Sequence, residues 1–462
     1  MLGRIARWID DRLGASSFTQ HALNKVFPDH WSFMLGEIAL YSFVVLLLTG
    51  VFLTFFFDPS MAETVYSGSY EPLRGVRMSH AYRSVVDLSF EVRAGMVMRQ
   101  THHWAAIVFI AALVVHLLRV FFTGAFRRPR EINWVVGVTL LVLAFFNGFT
   151  GYSLPDDLLS GTGLRIAYSI ALAVPLVGTW LAFLIFGGEF PADDIIPRLF
   201  VTHVMLVPGL IIGLLTVHLA IIWRQKHTDF PGPGRRESNV VGSKLWPTYT
   251  AKSLALFFAV FAVLAGMGGL VQINPVWLYG PFRVAQVPSP AQPDWWLGWV
   301  EGALRIFPPW ELRAFGFELP NPFFPGVLLP GIVFATLYLW PFLEARLTGD
   351  REPHHLLDRV RDHPVRTGLG AGSLMFVVTL HFAASNDLLA KWFDASVATM
   401  TWIFRILVIV LPPVTGFVAY RLAKALKVTG AERLAVVPLN AVLHPHHYNF
   451  AARPSHEQSE AT

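Results

Sequence analysis

The chain has 462 residues, of which 54% are hydrophobic and only 15% are charged, and it contains no cysteine. This composition is far more apolar than that of a soluble globular domain. The absence of cysteine excludes disulfides, covalently attached c-type haem and cysteine-held iron–sulfur clusters within the chain. The formal net charge is +5, but the basic residues cluster in loops between apolar runs, so we expect no binding to nucleic acid.

Residues 1–31 are polar and amphipathic and lack the pattern of a signal peptide, so we expect a cytoplasmic amino-terminal segment. Eight apolar runs follow, and each is long enough to cross a bilayer. The predicted spans are residues 32–57, 101–123, 133–154, 199–223, 252–273, 324–346, 367–389 and 399–425. We therefore predict an all-α membrane protein with eight transmembrane helices.

A further apolar stretch, Leu164 to Phe186, is interrupted by Pro175 and Gly178. It could be a ninth span, but a ninth span would reverse the orientation of every later segment. The loops after the second, fourth and sixth spans are rich in arginine and lysine, which places them together on the cytoplasmic side in the eight-span arrangement. We therefore expect short external surface helices at about 163–187, and both termini in the cytoplasm.

The spans divide into two regions. Residues 32–225 are predicted to form a four-helix bundle, and residues 226–430 a second membrane region of four spans. The second region contains a long external loop, 274–323, which is rich in proline and tryptophan, and loops of this length are usually functional. Residues 431–462 read as a polar cytoplasmic tail.

Four histidines occupy matching positions on two spans. His102 and His116 are 14 residues apart in the second span, and His203 and His218 are 15 apart in the fourth. At about 100° and 1.5 Å per residue, each pair lies on roughly one helix face, about 21–22 Å apart. Two such helices facing each other provide the ligands of two stacked bis-histidine haems, His102 with His203 nearer the outside and His116 with His218 nearer the cytoplasm.

Two other histidines are not expected to be ligands. His103 is 13 residues from His116, which turns it about 140° away from the face of that residue. We expect it to cap or pack. His381 is alone in the seventh span, and we interpret it as structural.

Glycines repeat with the same period. Gly36 and Gly50 in the first span are 14 residues apart, as are Gly137 and Gly151 in the third. A helix that passes the edge of a haem needs positions without a β-carbon. Ordinary small-residue helix packing is the alternative, and the matching period favours haem clearance.

Three arginines lie near these histidines in the sequence. Arg99, Arg119 and Arg198 stand at the ends of the predicted spans, where haem propionates would need cationic partners. Snorkelling of a cation at a helix end explains the same positions equally well.

Over about residues 30–425 the chain resembles cytochrome b of the quinol:cytochrome c reductase complex. The resemblance rests on the four histidines, the two glycine pairs and the Gly-Tyr-Ser-Leu-Pro sequence at 151–155. Residues 24–28, 123–130 and 230–234 resemble the actinobacterial form. The resemblance implies two non-covalent b-type haems, oxidation of menaquinol at an outer site and reduction of quinone at a cytoplasmic-side site, with a contribution to the proton gradient of a bacterial cell membrane.

The implied partners are a Rieske iron–sulfur subunit and a c-type cytochrome subunit, in a homodimer of complexes surrounded by membrane lipid. A terminal cytochrome c oxidase in a supercomplex is an optional further partner. Two other functions remain open on the residues alone. One is a dihaem membrane anchor of a quinone-linked dehydrogenase, and the other is a transporter, which would show no b-type spectrum.

The quinol-oxidation motif of this family, Pro-Glu-Trp-Tyr, corresponds here to Pro293, Asp294, Trp295 and Trp296. The resemblance makes Asp294 the proton acceptor. Glu301 follows seven residues later, on the same face if the segment is helical, and is predicted to share the proton path. The expected pocket also includes Tyr152 and a wall formed by a short helix that starts near Gly163.

The cytoplasmic-side quinone site has a weaker signal. The family often has a histidine after the fourth span and a Lys-Asp pair at the start of the fifth. The matching positions here are His227 and Lys252, and Ser253 replaces the aspartate. Both cationic candidates could equally be ordinary charges that flank a span.

Overall fold

The computed structural model describes residues 2–287, 292–314 and 316–428. Eight helical segments in this part of the chain are long and apolar enough to cross a membrane, which confirms the predicted number of spans and an integral membrane protein. They are Trp31–Thr54, Gly95–Phe122, Glu131–Ser153, Ile195–Gln225, Leu245–Leu270, Phe324–Thr348, Pro364–Ala384 and Val397–Lys427. The predicted tail, 431–462, is outside the described residues.

The α-helices up to the end of the fourth span are α1 (Leu2–Leu13), α2 (Ala15–Leu23), α3 (Met34–Thr54), α4 (His80–Phe90), α5 (Gly95–Phe122), α6 (Glu131–Ser153), α7 (Leu158–Leu172), α8 (Gly178–Phe186), α9 (Ile195–Val201) and α10 (Val207–Gln225). The later ones are α11 (Thr250–Leu270), α12 (Val276–Tyr279), α13 (Gly298–Ile306), α14 (Leu329–Thr348), α15 (Pro364–Ala384), α16 (Asn386–Trp392) and α17 (Val397–Val428).

Short strands connect the loops. They are β1 (Val26–Pro28), β2 (Glu63–Val65), β3 (Arg77–Ser79), β4 (Gly242–Lys244), β5 (Leu312–Ala314) and β6 (Phe317–Leu319). Strand β1 pairs with β4, β2 with β3 and β5 with β6, all antiparallel. The first pairing joins the segment before the first span to the segment before the fifth, so the starts of these two spans are held side by side.

The apolar stretch between the third and fourth spans forms two short helices, α7 and α8, rather than a ninth span. Helix α7 begins at Leu158, earlier than the sequence suggested, because the Asp157 carboxylate accepts hydrogen bonds from the backbone N–H groups of Leu159 and Ser160. Such an N-cap satisfies donors that a helix start otherwise leaves free.

The first four spans pack as a bundle around buried apolar side chains. Helix α3 packs on α5, α6 packs on α10, and α11 adds a fifth helix against α5 and α3. The core of the bundle includes Phe43, Phe109 and Ile110. Outward positions such as Leu48 and Phe258 are exposed and apolar, which suits a lipid-facing surface because lipid tails solvate such side chains.

The fourth span is not a regular α-helix. Helix α9 ends at Val201, residues Thr202–Leu206 form a π-helical turn, and α10 continues from Val207. A π-turn adds one residue to a helical turn, and such turns are frequent at functional sites. His203 lies within this turn, so the 15-residue interval to His218 corresponds to about 14 residues of regular α-helix.

In the second half, α13 packs on α15, and α15 packs on α17. Gly302 permits the first contact, because a β-carbon there would lie 1.8 Å from the Leu380 carbonyl oxygen. An ionic cluster joins the loop after the second span to the sixth and seventh spans. In this cluster Asp358 pairs with Arg127 at 2.8 Å and with Arg366 at 2.7 Å.

Candidate functional site

His102 and His203 face each other across the bundle. Their ring centroids are 6.1 Å apart, and the ring planes are inclined at 75°. A metal held between two imidazole nitrogens needs ring centroids about 6 Å apart, because each metal–nitrogen bond is about 2 Å long. The two rings therefore have the separation that a single metal between them requires.

The Nδ1 atoms of these two rings have hydrogen-bond partners. Nδ1 of His102 is 2.9 Å from the Thr49 hydroxyl. Nδ1 of His203 is 2.9 Å from the Asn147 carbonyl oxygen, to which it can only donate. A bond at Nδ1 fixes the tautomer and leaves Nε2 for a metal, as in other histidine-ligated sites.

A metal at this pair needs further ligands that the protein does not offer. In the described residues no group of three or more His, Cys, Asp or Glu side chains is arranged to hold a metal ion. Two opposed imidazoles thus fit an iron whose other four ligands come from a macrocycle. The donor set and the spacing fit a bis-histidine haem.

Each of the four periodic glycines lies against one of the four histidines. A β-carbon at Gly151 would lie 2.3 Å from Cε1 of His203, and one at Gly50 would lie 3.2 Å from Cε1 of His102. The corresponding contacts are 3.4 Å from Gly36 to His116 and 3.5 Å from Gly137 to His218. The space that glycine leaves is therefore next to the imidazole rings, and clearance for the haem edge stays a prediction.

The His102 and His203 pair opens into a cavity of ≈ 240 Å³ at the end of the bundle that carries residues 274–287 and 292–306, here called the loop end. The lining is mainly apolar, and it includes His103, Tyr152, Asn274, Asp294 and Trp296. The cavity therefore joins one histidine pair to the segment that resembles the quinol-oxidation motif.

Within this cavity, Asp294 contacts His103. Nε2 of His103 is 3.0 Å from both carboxylate oxygens of Asp294, and both side chains are mostly buried. The sequence predicted that His103 caps or packs. In the structure it lies on a different face of α5 from the other histidines, and its side chain therefore contacts this carboxylate. A carboxylate paired with an imidazole can take up a proton and share it.

The residues around Asp294 follow the prediction in part. Tyr152 lines the cavity, and Gly163 on α7 is close to it, since a β-carbon there would lie 3.3 Å from the Tyr152 ring. Trp295 was expected in the pocket, but its ring stacks on His381 at 6.1 Å. Trp296 lines the cavity instead, because the turn at Trp295–Leu297 points the two rings in different directions. Pro293 precedes this turn, outside any helix or strand, and is not part of the lining.

The predicted pairing of Asp294 with Glu301 on one helix face is wrong. Helix α13 starts only at Gly298, and Asp294 has extended backbone with ψ of 143°. The Glu301 carboxylate accepts from Arg305 at 2.6 Å, and Arg305 also pairs with Asp387 at 3.0 Å. Burial raises the pKa of Glu301, although Arg305 opposes this shift.

The three arginines have different surroundings. Arg99 lines the loop-end cavity, donates to the Asn274 carbonyl at 3.1 Å, and lies 5.5 Å from the Trp277 ring. Arg119 is half-buried one turn after His116, with its guanidinium 4.3 Å from the Phe33 ring. Both positions suit a propionate partner.

Arg198 has its partners at the ends of α8 and α9. Its guanidinium donates to the carbonyl oxygens of Phe183 and Leu184 and pairs with Asp194 at 3.8 Å. It therefore holds the end of α8 against α9 and is not in the lining of the loop-end cavity, and its contact with a propionate stays a prediction.

A second cavity, of ≈ 230 Å³, lies at the opposite end of the bundle, between the starts of the first and fifth spans. It is lined by Pro28, Asp29, His30, Trp31, Phe33, Met34, Glu37, Tyr249, Lys252 and Ser253. Lys252 pairs with Asp29 at 2.7 Å. The sequence predicted Lys252 here but gave no signal for Asp29 or Glu37.

His227 lies next to this cavity rather than in its lining. Its ring packs against Phe27 at 4.9 Å and Phe33 at 6.4 Å between ring centroids, and Phe33 in turn lines the cavity. Burial, together with the nearby cations Lys25 and Arg119, lowers the pKa of His227 to about 4. The imidazole is therefore neutral at physiological pH.

Comparison with known proteins gives consistent results. The family model described as cytochrome b (N-terminal)/b6/petB matches residues 107–281. Three similar proteins are each named "Cytochrome bc1 complex cytochrome b subunit". The Mycobacterium tuberculosis relative is 55% identical over 91% of this chain and 77% of its own length. The Corynebacterium diphtheriae relative is 50% identical over 94% and 80%. The Streptomyces coelicolor relative is 50% identical over 90% and 76%.

A solved structure of a chain from a "Hyperthermophilic respiratory Complex III" has a similar fold. Its TM-score is 0.65 at 20% sequence identity, and the match covers 90% of this chain and 99% of that one. At this identity the likeness concerns the fold alone.

Proposed function

The chain belongs to the family of cytochrome b subunits of respiratory cytochrome bc1 complexes, and on that premise we propose that it holds two b-type haems and connects two quinone sites across a bacterial cell membrane. The observation that carries this proposal is the opposed pair His102 and His203, 6.1 Å apart, with a glycine against each ring. The same glycine arrangement at His116 and His218 supports a second haem.

His102 and His203 would hold one haem, and His116 and His218 the other. Bound there, the haems would supply one-electron transfer between the two ends of the bundle. Gly36, Gly50, Gly137 and Gly151 allow the ligand rings to approach the helix backbones, and Arg99 and Arg119 would neutralise propionates at the two ends.

The loop-end cavity is the proposed site of quinol oxidation. Its apolar lining suits a hydrophobic quinol, and Tyr152, Asp294 and Trp296 bring polar and aromatic groups to it. Quinol oxidation releases protons, and the Asp294 carboxylate would accept one from the quinol hydroxyl. His103 would then stabilise the protonated pair through its hydrogen bond at 3.0 Å. Glu301, held by Arg305 and not in the lining of the cavity, would act separately from Asp294.

The opposite cavity is the proposed site of quinone reduction, with Lys252 and Asp29 at its edge. His227 would support its wall through Phe33. The basic loops after the second, fourth and sixth spans favour a cytoplasmic location for this end, with both termini in the cytoplasm and the loop end outside.

The proposed assembly includes a Rieske iron–sulfur subunit, which takes one electron at the loop end, and a c-type cytochrome subunit, in a homodimer of complexes. Because residues 24–28, 123–130 and 230–234 resemble the actinobacterial form, we propose menaquinol as the substrate and an attached cytochrome c oxidase as an optional further partner. A dehydrogenase anchor is not favoured, because this chain is 50% and 55% identical to two bc1 subunits over about nine-tenths of its length.

The reduced-minus-oxidised visible spectrum of the purified complex tests this proposal. We expect b-type bands equivalent to two haems per chain. His116→Leu should remove one haem and leave the His102 and His203 haem visible. His381→Leu is a control at a histidine that we consider structural, and it should retain both haems if it assembles. A wild-type complex without b-type bands would refute the proposal.

A further inference from the structure

Glu37 is an acidic residue that the sequence did not indicate, and it lies in the cavity near Lys252. It is in the first turn of α3, inside the bundle end rather than in a loop. An ionisable side chain within a span is costly and is usually retained for function.

Three hydroxyl groups surround this carboxylate. Ser253 donates to Glu37 at 2.6 Å, Tyr41 donates at 3.3 Å, and Tyr249 donates to the other oxygen. Two of the donors belong to the fifth span and one to the first. Lys252, the nearby cation, pairs with Asp29 at 2.7 Å. Hydroxyl groups can rotate to donate or accept, so they can accompany a change of protonation at the carboxyl.

Ser253 stands where the family motif has an aspartate, and its hydroxyl donates to Glu37. The acid that the fifth span lacks is thus present on the first span, facing the same space. The acid is therefore on the first span instead of the fifth, and the hydrogen bond from Ser253 joins the two positions.

The same cavity lies next to one histidine pair. Gly36 precedes Glu37, and a β-carbon at Gly36 would lie 3.4 Å from the ring of His116. In one turn of α3, therefore, Gly36 contacts His116 and the next residue, Glu37, lines the cavity. Electrons and protons would reach a quinone in this cavity from the same wall.

We propose that Glu37 is the proton donor at the cavity near Lys252, a role that rests on the proposed reduction of quinone there. Reduction of one quinone needs two protons and two electrons, and a bound b-type haem would supply the electrons one at a time. The Glu37 carboxyl O–H bond breaks, the proton forms an O–H bond on a quinone carbonyl oxygen, and Ser253 and Tyr249 stabilise the carboxylate left behind. The aqueous phase reprotonates Glu37 past Asp29 and Lys252, and the second proton follows the same route.

The test uses the intact complex with its b haems reduced and the loop-end site disabled by Asp294→Asn. A water-soluble menaquinone analogue is then added, and reoxidation of the haems is followed by stopped flow. Glu37→Gln should slow reoxidation at least tenfold with unchanged haem content. Glu63→Gln, at an exposed carboxylate in strand β2, is the matched control and should leave the rate unchanged.

Redox-difference infrared spectroscopy gives a second readout. A carboxyl C=O band that responds to quinone reduction in the parent should be missing in Glu37→Gln. If that variant does not assemble, Ser253→Ala keeps the acid and removes its donor, and it should shift the band and slow reoxidation several-fold.

The outcomes separate the two proposals. Parental rates and an unchanged carboxyl band in Glu37→Gln, or in Ser253→Ala, would overturn the role of Glu37 and leave the quinone site standing. Haems that are present but are not reoxidised by the analogue in the Asp294→Asn parent would overturn the proposed quinone site itself, and the role of Glu37 with it.

Discussion

Gly151→Ala should weaken the binding of one b haem. The methyl group would lie 2.3 Å from Cε1 and 2.8 Å from Nε2 of His203. Carbon atoms in contact are normally about 3.5–4.0 Å apart, so the ring or the third span must move by roughly 1 Å or more. A ring moved by this distance would no longer present its Nε2 to an iron held between His102 and His203.

The cost has two parts. Forcing a methyl group into a filled space costs about 1–3 kcal/mol. Moving the ring also disturbs its 2.9 Å hydrogen bond to the Asn147 carbonyl, whose loss costs about 1 kcal/mol. The sum, about 2–4 kcal/mol, weakens haem retention by roughly a hundredfold.

The protein contains its own control for this change. A β-carbon at Gly137 would lie 3.5 Å from Cε1 of His218, which is ordinary contact, so Gly137→Ala should retain both haems. Haem content per chain, measured by pyridine haemochrome, should be about half of normal for Gly151→Ala and normal for Gly137→Ala. Equal haem content in the two variants would refute the steric reasoning.

Three further predictions concern charged groups. His103→Gln should keep both haems and slow quinol oxidation about tenfold, because Asp294 loses the partner that stabilises its proton; loss of a haem would show that His103 is a ligand. Asp294→Asn and Glu301→Gln should have multiplicative effects on the rate of quinol oxidation. The reason is that the two carboxylates have separate partners, His103 and Arg305. A double variant no slower than Asp294→Asn would indicate one shared path. Asp358→Asn should destabilise the fold by about 2 kcal/mol at pH 7. Burial opposes ionisation, but His363 and Arg366 outweigh it and lower the pKa of Asp358 from 3.8 to about 2. The stabilisation is therefore complete above about pH 4 and is lost as the pH falls towards 2. The difference in thermal unfolding temperature between variant and parent should shrink over that range, and a difference independent of pH would refute this origin.

The sequence predicted the number of spans, the bundle and the four facing histidines, because these depend on local periodicity. Hydrophobic runs and intervals of 14 or 15 residues are readable without knowing which helices meet. The interval of 15 in the fourth span had no explanation from the sequence, since the π-helical turn around His203 depends on packing against the third span.

Contacts between distant segments were not readable in the same way. The spacing of Asp294 and Glu301 suggested one helix. Trp295–Leu297 forms a separate tight turn instead, so the two residues do not share a helix and their spacing does not place them on one face. Asp294 meets His103 across 191 positions, and Glu37 meets Ser253 across 216. Contacts between residues so far apart in the sequence produce no periodic pattern from which they could be predicted. A search for span residues that are polar but unsuited to lipid would have found Glu37.

The two cavities hold their acids in different surroundings, and the difference fits opposite tasks. At the loop end, Asp294 is bonded to an imidazole, which is a base and can share an incoming proton. Quinol oxidation requires such an acceptor. At the opposite end, Glu37 is bonded to three hydroxyl groups, which donate hydrogen bonds and stabilise a carboxylate after its proton has left. Quinone reduction requires such a donor. Exchanging the partners should therefore impair both sites even though each acid remains. Ser253→His, which would place a base beside Glu37, should slow reoxidation of the haems more than Ser253→Ala does. If the histidine variant were as fast as the parent, the hydroxyl groups would have no part in proton donation.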